Sequence, residues 1–156
     1  MRARWLIRVP VAIVTVATLL VACSTVPYTE RTRVILVTED EELQLGEQAY
    51  AEVLKKGPIP HDPAANDLVG RVGAKIAAVA ECPNFNWQFT VIDDAKTVNA
   101  FCLPGGKVAF YTGILPVCAD ETGVAVVMGH EVAHATARHG AERISQALVL
   151  DAGAAI

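Results

Sequence analysis

The sequence predicts an α+β fold, helices with a small antiparallel sheet or hairpin, and three observations carry that reading. Apolar residues recur at helical spacing in 39–54, 66–80 and 120–139. Between residues 86 and 112 the period shortens to two. Pro104-Gly105-Gly106 places a turn inside that second region.

Composition narrows the classes further. The chain has 156 residues, 53% of them apolar and 19% charged. That apolar share is too high for an intrinsically disordered chain. With 13 Lys and Arg against 17 Asp and Glu the net charge is −4, and no basic cluster follows the first residues. A nucleic-acid partner, which wants a basic face, is therefore not expected. Four Cys in this length are too sparse for a disulfide-built scaffold.

The first element is an export signal. Arg2, Arg4 and Arg8 lead into an apolar run at 9–22, and about fourteen residues are too few for the ~20 of a spanning helix. The run ends in Leu20-Val21-Ala22-Cys23, which resembles the lipobox of bacterial lipoproteins, where the chain is cut before the cysteine and the cysteine is acylated. A plain signal peptide or an uncleaved anchor is the alternative. Ser24 after the cysteine resembles an outer-membrane address in Gram-negative lipoproteins. Loss of residues 1–22 removes three Arg and leaves 10 basic against 17 acidic side chains, net −7. The expected organisation is a signal peptide at 1–22, a lipidated tether at 23–38 and one domain at 39–156. Of the mature thiols Cys23 is the lipidation site, and Cys82, Cys102 and Cys118 read as small buried apolar side chains with no assigned pairing.

The tether carries a short extended piece at Val34–Val37. Glu39–Leu54 follows as an amphipathic helix, with acidic residues at its start, Lys55 and Lys56 at its end, and Leu43, Glu47, Tyr50 and Leu54 on one face. A proline-rich loop at 57–63 leads to a second helix, Asn66–Ala80. Trp87, Phe89 and Val91 alternate on one face of a strand within 86–93. Thr97–Cys102 and Lys107–Thr112 are two further extended runs that form a hairpin across Gly105-Gly106. Asp120 N-caps a helix running to about His139, and 141–154 is helical again or continues it.

His130-Glu131-Val132-Ala133-His134 stands in that last apolar helix. Four residues advance a helix by about 400°, which leaves the imidazoles some 40° apart on one face and about 6 Å apart along the axis. Both can then reach one tetrahedral zinc, with Glu131 beside it as a proton acceptor. A zinc site lowers the pKa of its water toward ~7. Two solvated histidines are the bland alternative. Against it, the helix is otherwise apolar (Val124, Val126, Val127, Met128, Val132), where unpartnered imidazoles are costly. Gly129, worth about 1 kcal/mol less than Ala mid-helix, suggests a close neighbour on the metal side.

The two segments Asn99-Ala-Phe-Cys-Leu-Pro-Gly-Gly-Lys-Val-Ala-Phe-Tyr-Thr-Gly-Ile-Leu115 and Gly129-His-Glu-Val-Ala-His-Ala-Thr-Ala-Arg-His-Gly-Ala-Glu-Arg143 are similar to the zinc metallopeptidase family of the CAAX prenyl protease, HtpX and mitochondrial OMA-type proteases, with the periplasmic lipoprotein branch nearest. The resemblance covers about 39–156. It implies the N-terminal portion of a zincin-like gluzincin, one Zn²⁺ per subunit held by His130 and His134, and Glu131 as general base. It also implies that Asn99, Ala100 and Phe101 line the substrate cleft, although Cys102 stands where alanine is usual. The family's third ligand is a glutamate from a later helix, expected beyond this endpoint.

His139 invites a metzincin reading, but it comes five residues after His134 where six are needed, and Ala137 stands where a glycine belongs. It is expected to cap the helix or to contact a ligand histidine. Glu142 lies about 12 Å beyond His134 if the helix is continuous.

The expected function is a zinc metalloendopeptidase acting on misfolded or extended envelope proteins, lipid-anchored in the periplasm on the inner leaflet of the outer membrane. Expected partners are polypeptide substrates and outer-membrane protein assembly factors. The competing reading is a non-catalytic chaperone or adaptor lipoprotein that binds unfolded outer-membrane proteins. A purely structural lipoprotein comes third.

Overall fold

The computed structural model describes residues 23–25, 32–57 and 62–154. The expected signal peptide at 1–22 and most of the proline-rich loop lie outside these residues. The described residues fall into two units, those within 1–37 and 141–156, and those within 38–140.

In the first unit the backbone of β1 (Cys23–Thr25) pairs antiparallel with β2 (Thr32–Val34), Cys23 opposite Val34. The extended piece thus ends where the sequence places its start. The Leu36 amide donates to Ser145 Oγ at 2.8 Å, and that hydroxyl donates to the Ala141 carbonyl at 2.7 Å.

The second unit begins with α1 (Glu39–Lys56), two residues longer than expected. A capping box fixes its start: Thr38 accepts from the Glu41 amide, and the Glu41 carboxylate accepts from the Thr38 amide at 2.9 Å. The next helix, α2 (Pro63–Ala77), begins and ends three residues earlier than its apolar spacing suggests. Asp62 caps the amides of Ala64 and Ala65, and Pro63 fits the first helical position because its missing N–H has no partner to lose there.

The sheet holds β3 (Gln88–Ile92), β4 (Ala100–Leu103) and β5 (Lys107–Tyr111) in the order β3-β5-β4. The expected hairpin is present: β4 and β5 pair antiparallel, Ala100 opposite Phe110, across Gly105 (φ 82°) and Gly106 (φ 78°). The sheet as a whole is not antiparallel. β3 runs parallel to β5, Gln88 opposite Lys107, because the chain crosses to the far edge at β4 before β5 returns between them. One face carries Phe89, Val91, Ala100, Cys102, Val108 and Phe110 into a core with helical valines and Met128. The other carries Ile92, Phe101, Leu103 and Ala109 against Tyr50 of α1. Gly73 of α2 permits close packing, since a Cβ there would lie 2.4 Å from the Phe89 ring.

After the short α3 (Leu115–Cys118) comes α4 (Glu121–Thr136), which packs against β4 and α2. Asp120 is its N-cap as expected, accepting from the Gly123 amide at 2.9 Å. Asp120→Ala should therefore lower stability by about 1 kcal/mol, read as a fall in the urea midpoint. The helix does not reach His139. Ala137 ends it, Arg138 takes a left-handed φ of 53°, and α5 (His139–Ala154) starts anew. The distance to Glu142 inferred from a continuous helix therefore has no basis. Among the described residues no single helix is long and apolar enough to cross a membrane.

Candidate metal centre

Helix α4 is anchored by Val124, Met128 and Val132, all within one buried cluster that includes Ala100 and Phe110. This leaves His130 exposed and Glu131 and His134 half-buried. The two imidazoles turn the same nitrogen toward one point. His130 Nε2 and His134 Nε2 lie 3.0 Å apart, with ring planes at 86°. Zn–N bonds of 2.0–2.1 Å in a tetrahedral site set neighbouring ligand atoms about 3.3 Å apart. The pair fits that edge with a few tenths of an ångström of opening. The same spacing also suits one N–H···N hydrogen bond between the rings, so metal content separates the two states.

The second nitrogen of His134 is occupied too. Its Nδ1 lies 2.6 Å from His139 Nδ1, a contact made possible by the break at Arg138. The three histidines thus form a chain, with His134 in the middle, rather than three donors around one point. Among the described residues no group of three His, Cys, Asp or Glu side chains is placed to hold a metal ion.

Asn99, Ala100 and Phe101 fall where β4 forms an edge of the sheet. The Asn99 carbonyl accepts from the Tyr111 amide at 3.1 Å. By antiparallel alternation the main chains of Asn99, Phe101 and Leu103 face β5, and those of Ala100 and Cys102 face outward. The side chains separate in the other sense. Ala100 belongs to the α4-side core, whereas Phe101 tilts against Tyr111 on the α1 side, ring centroids 6.2 Å apart. Around Gly129 the described residues leave open space, with nothing within 4 Å of a Cβ built on it.

Two features escape the sequence reading. Cys102 lies close enough to Glu131 for its thiol to respond: burial first, then the Glu131 carboxylate and Cys82, push it up to about 12. It stays a protonated thiol at neutral pH, and Cys82, Cys102 and Cys118 are all free. Period-two alternation from Ala100 could have placed Cys102 on the α4 face. Glu42, read as a charge suited to the α1 dipole, is instead buried and accepts from Arg138 Nε at 2.6 Å. No local pattern signals a pair 96 residues apart.

A family model described as Peptidase family M48 matches residues 63–155, which span α2, the sheet, α4 and α5. The chain belongs to this peptidase family. Among M48-related proteins, the mitochondrial metalloendopeptidase OMA1 of Schizosaccharomyces pombe is 42% identical over 77% of this chain and 36% of its own length. The protein of the same name from Saccharomyces cerevisiae is 33% identical over 78% of this chain and 39% of its own. The beta-barrel assembly-enhancing protease of Escherichia coli is 26% identical over 64% of this chain and 20% of its own. The chain spans less than half the length of each of these M48 relatives.

Proposed function

We propose that this chain provides the motif helix and substrate-edge strand of a zinc-dependent metalloendopeptidase. The observation that carries the reading is the convergence of His130 Nε2 and His134 Nε2 at 3.0 Å on a helix that sets Glu131 beside them. His130 and His134 would hold the metal. When bound, zinc supplies a water that is nucleophilic at neutral pH and polarises the scissile carbonyl. Glu131 takes the proton of the attacking water and hands it to the leaving amine. A His134 that binds through Nε2 carries its own proton on Nδ1, and this falls on His139 Nδ1 at 2.6 Å, which fixes the ring. The outward main chain of Ala100 and Cys102 offers a peptide an edge to pair with, so an extended polypeptide is the substrate that fits.

The envelope is the site of action in this reading. It rests on the lipobox-like residues before Cys23 and on similarity to a beta-barrel assembly-enhancing protease. Misfolded envelope proteins are the proposed substrates, the membrane is met through a lipid on Cys23, and outer-membrane assembly factors are the proposed partners.

Metal analysis tests the reading. The full-length protein purified without chelators should hold about one zinc per chain, and His130→Ala and His134→Ala should each lose both the zinc and casein hydrolysis. A wild-type protein without stoichiometric zinc overturns the peptidase and favours a chaperone or adaptor.

A further inference from the structure

A cavity of about 200 Å³ opens beyond the end of the edge strand. Its walls come from the start of α1 (Glu39, Glu42, Leu43), the loop 81–85, Pro104 and the C-terminal end of α4 (Ala135, Thr136, Arg138). That is room for several waters or for the end of one long side chain. A drug-sized ligand or cofactor needs more, about 300 Å³ upward.

Its position relates it to the proposed cleft. Ala135 is four residues after Glu131 and shares its helix face, about 6 Å along the axis. Pro104 directly follows Leu103, the last residue of β4. A peptide paired to the outer edge of β4 advances about 3.3 Å per residue. It would thus bring a side chain to the cavity about two residues from the bond beside Glu131.

Charge decides which side chain. Leu43, Phe85, Pro83 and Pro104 supply apolar surface for a hydrocarbon stem. Three carboxylates face one guanidinium. Glu42 is buried and matched by Arg138 at 2.6 Å, and Glu39 Oε1 accepts from a neutral donor, Asn84 Nδ2 at 3.1 Å. Glu81 stands exposed at the rim. The thiol of Cys82 in the same wall is pushed up by burial and then by Glu39 and Glu81. The wall therefore carries an excess of negative potential.

We propose that this cavity is a subsite for a basic side chain, lysine or arginine, of the extended peptide, and so gives the site a preference for substrates with a positive charge about two residues from the scissile bond. The proposal rests on the peptidase reading for its place in the cleft, and its test separates the two. Fluorescein-labelled peptides of about ten residues would carry a single lysine, norleucine or glutamate, moved one position at a time. Fluorescence anisotropy would be read on the full-length Glu131→Gln protein, which binds without cutting.

The expected result is a lysine peptide bound about fivefold tighter than its norleucine counterpart at one position only. That gap should close in the Glu39→Gln/Glu81→Gln background, where norleucine binding is unchanged, and shrink as salt is raised. Equal affinity for lysine and norleucine at every position would make the cavity a plain apolar pocket and overturn the proposal. A lysine preference that survives the double substitution also overturns it. Cleavage of the same peptides by the wild-type protein reports separately on the peptidase: binding preference without cleavage sinks the enzyme and leaves the subsite standing.

Discussion

In Glu131→Gln the protein is expected to keep its zinc and to lose casein hydrolysis by about a thousandfold. General-base catalysis contributes roughly 10²–10⁴ in rate, so removal of the proposed proton acceptor beside the two histidines takes away most of the chemistry. Glutamine has nearly the volume of glutamate and suits a helix, and the half-buried position tolerates it. The His130–His134 and His134–His139 contacts do not involve Glu131, which is why metal content should stay near one per chain. The loss should fall on kcat with KM little changed, because the substitution leaves untouched the outer edge of β4, where the peptide is proposed to pair. One further signature marks the geometry. Glu131 is the second cause of the raised Cys102 thiol, after burial, so its neutralisation should move that thiol down. A Glu131→Gln protein that cleaves casein as fast as wild type sinks the mechanism.

What the sequence shows of this site is what lies within one helix or one turn. The apolar spacing from Val124 to Val132 places His130 and His134 together, and Gly105-Gly106 closes the hairpin of β4 and β5. Such features depend on residues close in sequence, and local periodicity reports them directly. Parallel pairing of β3 with β5 is different. It depends on where the chain crosses between Asp93 and Asn99, and alternation in Trp87, Phe89 and Val91 reads the same whichever neighbour they meet. The early start of α2 was hidden because Pro63 looks like the end of a loop, while Asp62 and Pro63 together make a helix start. The break after α4 was hidden for another reason. Ala137-Arg138 has good helix propensity, and Arg138, at its left-handed φ, pairs with Glu42, a partner 96 residues away that no local pattern announces.

That break yields the last expectation, in which two effects oppose each other. Arg138→Gly should destabilise the protein by about 2–3 kcal/mol, although glycine suits φ 53° better than arginine does. A left-handed conformation costs a side-chain residue about 1–2 kcal/mol, and glycine removes that strain. Glycine's own entropy in the unfolded chain cancels about 0.5–1 kcal/mol of the gain. Against this small relief stands Glu42, only 4% exposed, which loses its guanidinium. Breaking a buried ion pair costs about 3–5 kcal/mol, and here somewhat less, since the Arg138 side chain is 30% exposed and water screens the pair. The charge term wins. Urea unfolding checks the sign, and a second substitution checks the cause: Glu42→Gln in the Arg138→Gly background removes the stranded charge and should recover about 1–2 kcal/mol. If the single variant matches wild type, the ion pair does not hold the break.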